Sequence, residues 1–477
     1  MRNKLAVLFV GVFVLALTAM FMPKKANAIA AFAQKYHFSC AVCHINGYGG
    51  GASLNPFGRA FQRNGFRLPS TNGTPADATQ VAEGLSLPNP WPIPIMIEVN
   101  IGYKHVTNEN VSPSTDAFSA SAQMHTGGAF KLYTPLADSL SWYTGVDYGT
   151  SSVQIDNTFG VLNGLGSGFG VPSHLFNLAA GYSMNIFNPQ PYFGGGSGKL
   201  AIGYDGGSSV LSEGAGFQVF GTPGYHLWYM FGVTNGNSAG SQTASNGASG
   251  GVGGIALSPA TKTSNSANNS MNYNWRLGEF YPTSVGTLEI DYYGGTVAQP
   301  LSMGTGVASG DSWTNRVLDN GVGLGLSNGI YEIGASLNEI SDSNPYTNPS
   351  NPVAISGVTD TSNGYQYLYL YGDYKFSHFI TEEGTYLQVS YAQYDWTHAN
   401  SENAFINAVN GTAYSCSAGL YGSPASLGGT TCYEGQKNNL TVKADIMLAA
   451  NAFLSLGYNF SNISEEDAFT TNLEFAF

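Results

Sequence analysis

The stretch Ile95-Met-Ile-Glu-Val-Asn-Ile-Gly-Tyr-Lys104 places an apolar residue at every second position. Side chains point to opposite faces along a β-strand, so this alternation collects the apolar residues on one face and the polar ones on the other. The stretch therefore predicts a strand with one apolar and one polar face.

The same alternation continues to the end of the chain, where residues 95–477 contain sixteen candidate strands. The clearest lie within 288–292, 365–371, 387–391, 440–446, 454–460 and 469–477. Short links near 222–225, 326–329 and 449–452 alternate with longer Gly/Ser/Asn-rich stretches near 152–173, 235–270, 296–313, 342–363 and 399–436. This pattern predicts an all-β fold, a transmembrane antiparallel outer-membrane barrel of about 16 strands with short periplasmic turns and long outer loops. An even strand count places both chain ends in the periplasm.

Composition favours the same class. The chain has 477 residues, of which 10% are charged, with 62 Gly, 29 Tyr and 27 Phe; a soluble protein carries about 25% charged residues. A soluble β-sandwich is the alternative, but it would not place so many aromatic residues on one face with so few charges. The net charge of −13 argues against nucleic acid as a partner.

The N-terminus predicts export. Arg2 and Lys4 precede an apolar run over 5–22, and Ala26-Asn-Ala28 is an A-x-A cleavage site, so residues 1–28 are expected to be a signal peptide. The apolar run is long enough for the alternative of an uncleaved anchor helix. Export through this signal places the barrel in the outer membrane of a Gram-negative-type bacterium.

The motif Cys40-Ala-Val-Cys43-His44 is the attachment signature of a c-type haem. The two thiols bond the vinyl groups at one edge of the porphyrin, and His44 reaches the iron as an axial ligand. A redox dithiol or half of a zinc site would share the C-x-x-C spacing, but neither needs the adjacent His. We expect one covalent haem c in a haem segment, residues 29–70.

A short helix follows the motif. Asn55-Pro56 indicates its start and Gly65 its end. Phe57, Ala60 and Phe61 would share a face that packs on the haem, with Phe57 and Phe61 as its aromatic contacts. Arg59 and Arg63 share another face, either contacting a haem propionate or simply solvated.

Some forty residues are too few to bury a haem alone, so another part of the protein must help to cover it. We expect it to plug the lumen of the barrel, residues 94–477, to which residues 71–93 form a linker. The second axial ligand is left open between Met96, His37 and an open or water-bound site. Cys416 and Cys432 fall in one long outer loop, where an even pair of exported cysteines predicts a disulfide rather than two free thiols.

Six carboxylates fall on the predicted lumen face and would give an acidic path for cations, unless they only reflect the ordinary polarity of a barrel lumen. They are Glu98, Glu289, Asp291, Glu332, Asp445 and Glu474.

The combination of signal peptide, single haem motif and barrel resembles the fused monohaem cytochrome–porins of the outer membrane that act as iron oxidases. The likeness is carried by residues 31–44, Ala-Phe-Ala-Gln-Lys-Tyr-His-Phe-Ser-Cys-Ala-Val-Cys-His, and by 54–61, Leu-Asn-Pro-Phe-Gly-Arg-Ala-Phe. Over the barrel it is architectural. The chain departs from the family at 45–53, which is Gly-rich where members often carry a Phe-Pro pair.

The resemblance implies an Fe(II):electron-carrier oxidoreductase, an iron oxidase. Extracellular Fe(II) would be the donor, and a periplasmic cytochrome or copper protein would be the acceptor of single electrons. Two alternatives remain from the residues themselves: a porin with a structural or sensory haem, and an outward-directed reductase. The haem potential separates the two directions of electron flow.

Overall fold

The computed structural model describes seventeen ranges of the chain. They are 42–43, 54–66, 79–82, 85–87, 95–106, 115–148, 153–182, 215–224, 226–235, 260–262, 271–303, 312–342, 363–376, 384–396, 436–449, 452–461 and 468–476. The predicted signal peptide, Cys40, His44, His37 and the Cys416–Cys432 pair lie outside the described residues. No helix in the described ranges is long and apolar enough to cross a membrane.

An eight-residue helix, α1 (Pro56–Arg63), comes before the strands. The strands are β1 (Thr79–Ala82), β2 (Leu85–Leu87), β3 (Ile95–Val106), β4 (Thr115–Thr134), β5 (Ala137–Tyr148), β6 (Val153–Asn163), β7 (Asn177–Tyr182), β8 (Ala215–Gly221), β9 (Leu227–Asn235), β10 (Ala260–Lys262), β11 (Met271–Thr283), β12 (Gly286–Met303), β13 (Ser312–Ser327), β14 (Tyr331–Asp342), β15 (Asn363–Phe376), β16 (Thr385–Trp396), β17 (Gln436–Ala449), β18 (Ala452–Ser461) and β19 (Ala468–Ala476).

Sixteen of these strands, β3–β9 and β11–β19, form a closed antiparallel ring. Each pairs with its neighbours in sequence, β9 pairs with β11, and the last strand, β19, pairs with the first, β3. The short strand β10 pairs with one end of β12 and adds no position to the ring. The predicted antiparallel barrel of about 16 strands is therefore confirmed.

The two faces of the wall have opposite character. On β12 the outward Ile290 and Tyr292 are 45% and 48% exposed, whereas the intervening Glu289 and Asp291 are each 1% exposed. Apolar side chains thus stay exposed outside and polar ones are buried inside, the reverse of a soluble protein. An apolar outer surface of this kind matches the hydrocarbon of a lipid bilayer.

The two ends of the barrel differ in their connections. At one end the strands are joined through 135–136, 164–176, 222–226, 284–285, 328–330, 377–384 and 450–451. The chain enters β3 and leaves β19 at this same end, as an even number of strands requires. We call it the short-turn end; in bacterial outer-membrane barrels the short turns face the periplasm.

Two predicted long loops differ from the structure. The stretch 296–313 is largely strand, because β12 runs to Met303 and β13 begins at Ser312. The stretch 152–173 was expected to be a long outer loop, but it holds strand β6, and its remainder belongs to a link over 164–176 at the short-turn end. Gly164, Gly166 and Gly170 adopt φ values of 65°, 77° and 87°. Such left-handed turns are open to Gly at little cost, so they fold a Gly-rich run into a compact link instead of an open loop.

The predicted linker, residues 71–93, also contains regular structure. Its strands β1 and β2 form an antiparallel hairpin with Thr79 opposite Leu87. This pairing was not evident from the sequence. The two strands have only four and three residues, and the stretch around them is rich in Pro and Thr.

Candidate functional site

The start of α1 is bonded directly to the second cysteine of the haem motif. The Asn55 side-chain oxygen accepts a hydrogen bond from the Gly58 backbone N–H at 2.9 Å, which caps the helix. Its amide Nδ2 donates to the Val42 carbonyl at 2.9 Å. Its backbone N–H donates to the Cys43 carbonyl, also at 2.9 Å. One residue, Asn55, therefore both begins the helix and fastens Val42 and Cys43 to it.

Gly58 is required by the same contact. A Cβ at this position would lie 2.1 Å from the Cys43 carbonyl oxygen and 3.0 Å from Leu54 Cδ2. Only a residue without a side chain lets the helix approach the motif so closely. Val42 and Cys43, the described part of the motif, are thus held at a fixed place beside the start of α1, where Cys43 is half-buried.

Arg59 binds α1 to three strands of the inner wall. Its Nε lies 3.0 Å from Glu289 Oε2 on β12, and its Nη1 lies 2.8 Å from Glu332 Oε1 on β14. Its Nη2 donates to Ser327 Oγ on β13. Burial alone would lower the pKa of Arg59, but the carboxylates of Glu332 and Glu289 outweigh it and raise that pKa further above its ordinary value. The guanidinium is therefore charged in its buried position.

Arg63 reinforces this attachment one turn later. It forms an ion pair with Glu289, and its guanidinium carbon lies 5.5 Å from the Trp228 ring centre and 4.9 Å from that of Phe280. These distances are those of cation–π contacts. Arg276 on β11 completes the cluster, at 3.0 Å from Glu289 Oε1 and 2.7 Å from Asp291 Oδ1.

An aromatic cluster holds the other end of the segment. The Phe61 ring contacts that of Phe66 at 6.1 Å, and Phe66 contacts Phe159 on β6 at 5.7 Å, as measured between centroids. Trp228 and Met230 on β9 belong to the same buried cluster. Ser141 on β5 donates a hydrogen bond of 2.9 Å to the Gly65 carbonyl. Residues 54–66 are thus attached along the inner wall at the short-turn end.

The predicted apolar face of α1 divides between two environments. Phe61 is 7% exposed against the barrel wall, so the expectation that it packs on a haem face beside Phe57 is not the arrangement found. Phe57 is half-buried and Ala60 is exposed. The solvated alternative for Arg59 and Arg63 is also wrong, because both are buried and paired with the wall.

All six predicted lumen carboxylates are buried on the inner face, but they do not form one acidic lining. Arginines pair with Glu289, Asp291 and Glu332. Asp445 on β17 is paired with Lys443 at 3.0 Å and accepts a hydrogen bond from Ser455. An open acidic path is therefore not what the structure has on the β12–β14 side, because Arg59 and Arg63 of α1 and Arg276 of β11 supply countercharges there.

Glu98 and Glu474 lie on paired strands, β3 and β19, away from the α1 contacts. Glu98 accepts a hydrogen bond of 2.8 Å from Asn100 Nδ2, and its Oε2 lies 3.9 Å from His125 Nε2. Met96 also lies on β3, and its backbone is opposite that of His125. In the described ranges, no group of three or more His, Cys, Asp or Glu side chains is arranged to hold a metal ion.

Several residues of the site were missed from the sequence. Arg276 shares the inner face of β11 with Asn272 and Asn274, and this polar alternation was the available signal. Most residues of β9 around Trp228 are apolar. The sequence therefore has no apolar–polar alternation there that would predict which side chains face inward. His125 and Tyr143 are joined by a hydrogen bond of 2.6 Å between Nδ1 and the hydroxyl, across two strands whose register no local pattern specifies.

Comparison with known proteins bears on the barrel. No family model matches the chain, and no curated protein does. Similar solved structures include the high-pH structure of Pseudomonas putida OprB, with 10% identity and a TM-score of 0.51, covering 81% of this chain and 94% of that one. The anion-selective porin from Comamonas acidovorans has 9% identity and a TM-score of 0.48, covering 81% and 99%. Salmonella typhi OmpF in complex with daunomycin has 12% identity and a TM-score of 0.46, covering 83% and 98%.

Identities this low bear on the fold alone, and the likeness to OprB is the one among these three with a TM-score above 0.5. Together with the closed ring and its apolar outer face, it makes this chain a porin-like outer-membrane β-barrel.

Proposed function

We propose that this barrel is an outer-membrane c-type cytochrome that oxidises extracellular Fe(II) and passes single electrons to a periplasmic cytochrome or copper protein. The observation that carries the proposal is the attachment of Cys43, through Asn55 and Gly58, to a helix that is itself ion-paired to the barrel wall. A porin that only conducts solutes has no need to fix a C-x-x-C-H motif against its lumen.

Each residue of the motif has a role in this proposal. Cys40 and Cys43 would hold the haem covalently through thioether bonds, and His44 would ligate its iron. Once attached, haem c supplies a centre that exchanges one electron at a time. Half-buried Phe57 and exposed Ala60 would provide a surface for it, while Phe61 anchors the helix instead.

The proposed reaction makes no bond to carbon. Each Fe(II) ion outside loses one electron and becomes Fe(III), and one acceptor molecule in the periplasm gains that electron. The attachment of residues 54–66 at the short-turn end supports an exit on the periplasmic side. Insoluble Fe(III) would then stay outside the cell.

A porin with a structural or sensory haem is the second candidate, and the porin-like fold favours it. Purified holoprotein mixed with Fe(II) at acidic pH separates the two. We expect the absorbance bands of reduced haem to develop in the wild type. His44→Ala should abolish the reduction while the barrel stays folded, and Cys40→Ser with Cys43→Ser should leave no haem bound through denaturation. A wild-type haem that stays oxidised under excess Fe(II) would exclude the oxidase and favour the porin.

A further inference from the structure

Residues 54–66 are attached over more than half of the ring. Side chains from β5–β9 and β11–β14, nine consecutive strands of the sixteen, contribute to the surface that receives them. We call this surface the helix seat and define its polar part by Glu289, Ser327 and Glu332 and its apolar part by Phe159, Trp228 and Phe280. A ring of this size otherwise encloses an aqueous channel.

The two ends of the segment are held by different forces. Phe66 and Gly65 meet β5 and β6 through ring contacts and one hydrogen bond. Arg59, nearer the other end, meets β12, β13 and β14 through charge. Loss of the carboxylates would therefore free the Arg59 end while the Phe66 end remained attached.

Three buried arginines and three buried carboxylates meet where α1 contacts β11, β12 and β14. Arg59, Arg63 and Arg276 face Glu289, Asp291 and Glu332, and all six side chains are buried. Without α1, the three carboxylates would face Arg276 alone across a water-filled lumen. Neighbouring like charges repel one another, so the two cations that α1 brings favour the seated helix.

We propose that the ion pairs of Arg59 and Arg63 with Glu289 and Glu332 are a latch that keeps α1 across the short-turn mouth and closes the barrel to ions and small solutes. The barrel is in this respect a sealed porin, whose channel opens when the latch is broken. This property does not depend on electron transfer, so it can fail or hold independently of the iron-oxidase proposal.

The latch can be broken from either side, with opposite electrostatic results. The variant E289Q/E332Q removes the wall charges, and R59Q/R63Q removes the helix charges but leaves the carboxylates. D445N is the matched control, a buried inner-wall carboxylate on β17 whose partners are Lys443 and Ser455 and not α1. Full-length holoprotein of each is inserted into planar lipid bilayers, after heat-modifiable gel migration has verified a folded barrel.

We expect wild type and D445N to show equally low conductance, and both latch variants to rise about tenfold, as between a plugged lumen and an open 16-stranded channel. Reversal potentials in a KCl gradient should show the R59Q/R63Q channel to be more cation-selective than the E289Q/E332Q channel. If a double variant does not fold, the single variants E332Q and R63Q take its place. A wild type already as conductive as the variants, folded variants as closed as the wild type, or equal selectivity of the two open forms would each overturn the latch.

Discussion

Two regions of the inner wall carry buried carboxylates, and the groups that pair with these carboxylates differ between the two regions. At the helix seat, Glu289 and Glu332 are met by guanidinium groups at 2.8–3.0 Å. On β3, Glu98 is met by an amide at 2.8 Å and by an imidazole at 3.9 Å. The sequence pattern is the same in both places, an acidic residue between apolar ones. What differs is whether the N-terminal segment brings a cation to it.

The difference shows that the carboxylates on the inner face of this barrel do not all have the same role. Those on β12 and β14 are structural, because Glu289 and Glu332 pair with Arg59 and hold α1 against the wall. Those on β3 and β17 line the part of the ring that the described contacts of α1 do not reach. Three substitutions sharpen this contrast, and they follow in order of expected effect.

Gly58→Ala should have the largest effect, since it separates the helix from the motif. Its Cβ would lie 2.1 Å from a backbone oxygen of Cys43, which cannot move like a flexible side chain. We expect most of the covalently bound haem to be lost, as measured by haem absorbance per barrel after denaturation. Gly224→Ala is the control, because a Cβ at Gly224 would meet nothing within 4 Å. Equal haem content in both variants would show that this contact does not hold Cys43.

Arg59→Ala should cost about 3–5 kcal/mol in the free energy of unfolding, because it leaves buried carboxylates without their partner. Lys443→Ala removes a cation from Asp445 on the other region of the wall, where the Lys443 side chain is 27% exposed and Ser455 still donates to Asp445. An ion pair so placed contributes about 1 kcal/mol or less. Denaturant unfolding followed by tryptophan fluorescence measures both, and equal losses would remove the distinction between the two regions.

Tyr143→Phe should have the smallest effect. It removes the 2.6 Å hydrogen bond to His125 Nδ1 while keeping the ring that contacts Phe159 at 5.7 Å. We expect a loss of about 1 kcal/mol in the same unfolding measurement. Haem content and haem reduction by Fe(II) should stay at wild-type values, because this pair lies outside the α1 ion pairs. A loss of haem in Tyr143→Phe would mean that the region around Glu98 also supports the haem segment.

The sequence was sufficient for the barrel because a period of two is a local property. The alternation of Ile97 and Glu98 predicts which face each side chain lies on without reference to any distant residue. The even count of sixteen strands then places both chain ends on one side. The start of α1 was equally local, since Asn55 and Pro56 are adjacent.

The seat was not predictable in this way. Phe57, Ala60 and Phe61 share one predicted face of the helix. No local pattern tells which of the three packs against the barrel wall. Arg59 could be assigned to a propionate or to solvent, but its partner Glu332 lies 273 residues away. The compact link after β6 was missed because Gly164, Gly166 and Gly170 are as typical of open loops as of tight left-handed turns.

The distance of 273 residues between Arg59 and Glu332 also imposes an order on biogenesis. The N-terminal segment is synthesised before β12–β14, and the ring cannot close until β19 meets β3. Contacts of such long sequence separation form late in folding. Under the proposed function, haem attachment at Cys40 and Cys43 can therefore precede assembly of the barrel, and the chain that is inserted into the outer membrane would already carry its haem. A defect in haem attachment would then have two effects. The protein would lack haem, and the barrel would close around an incompletely folded N-terminal segment.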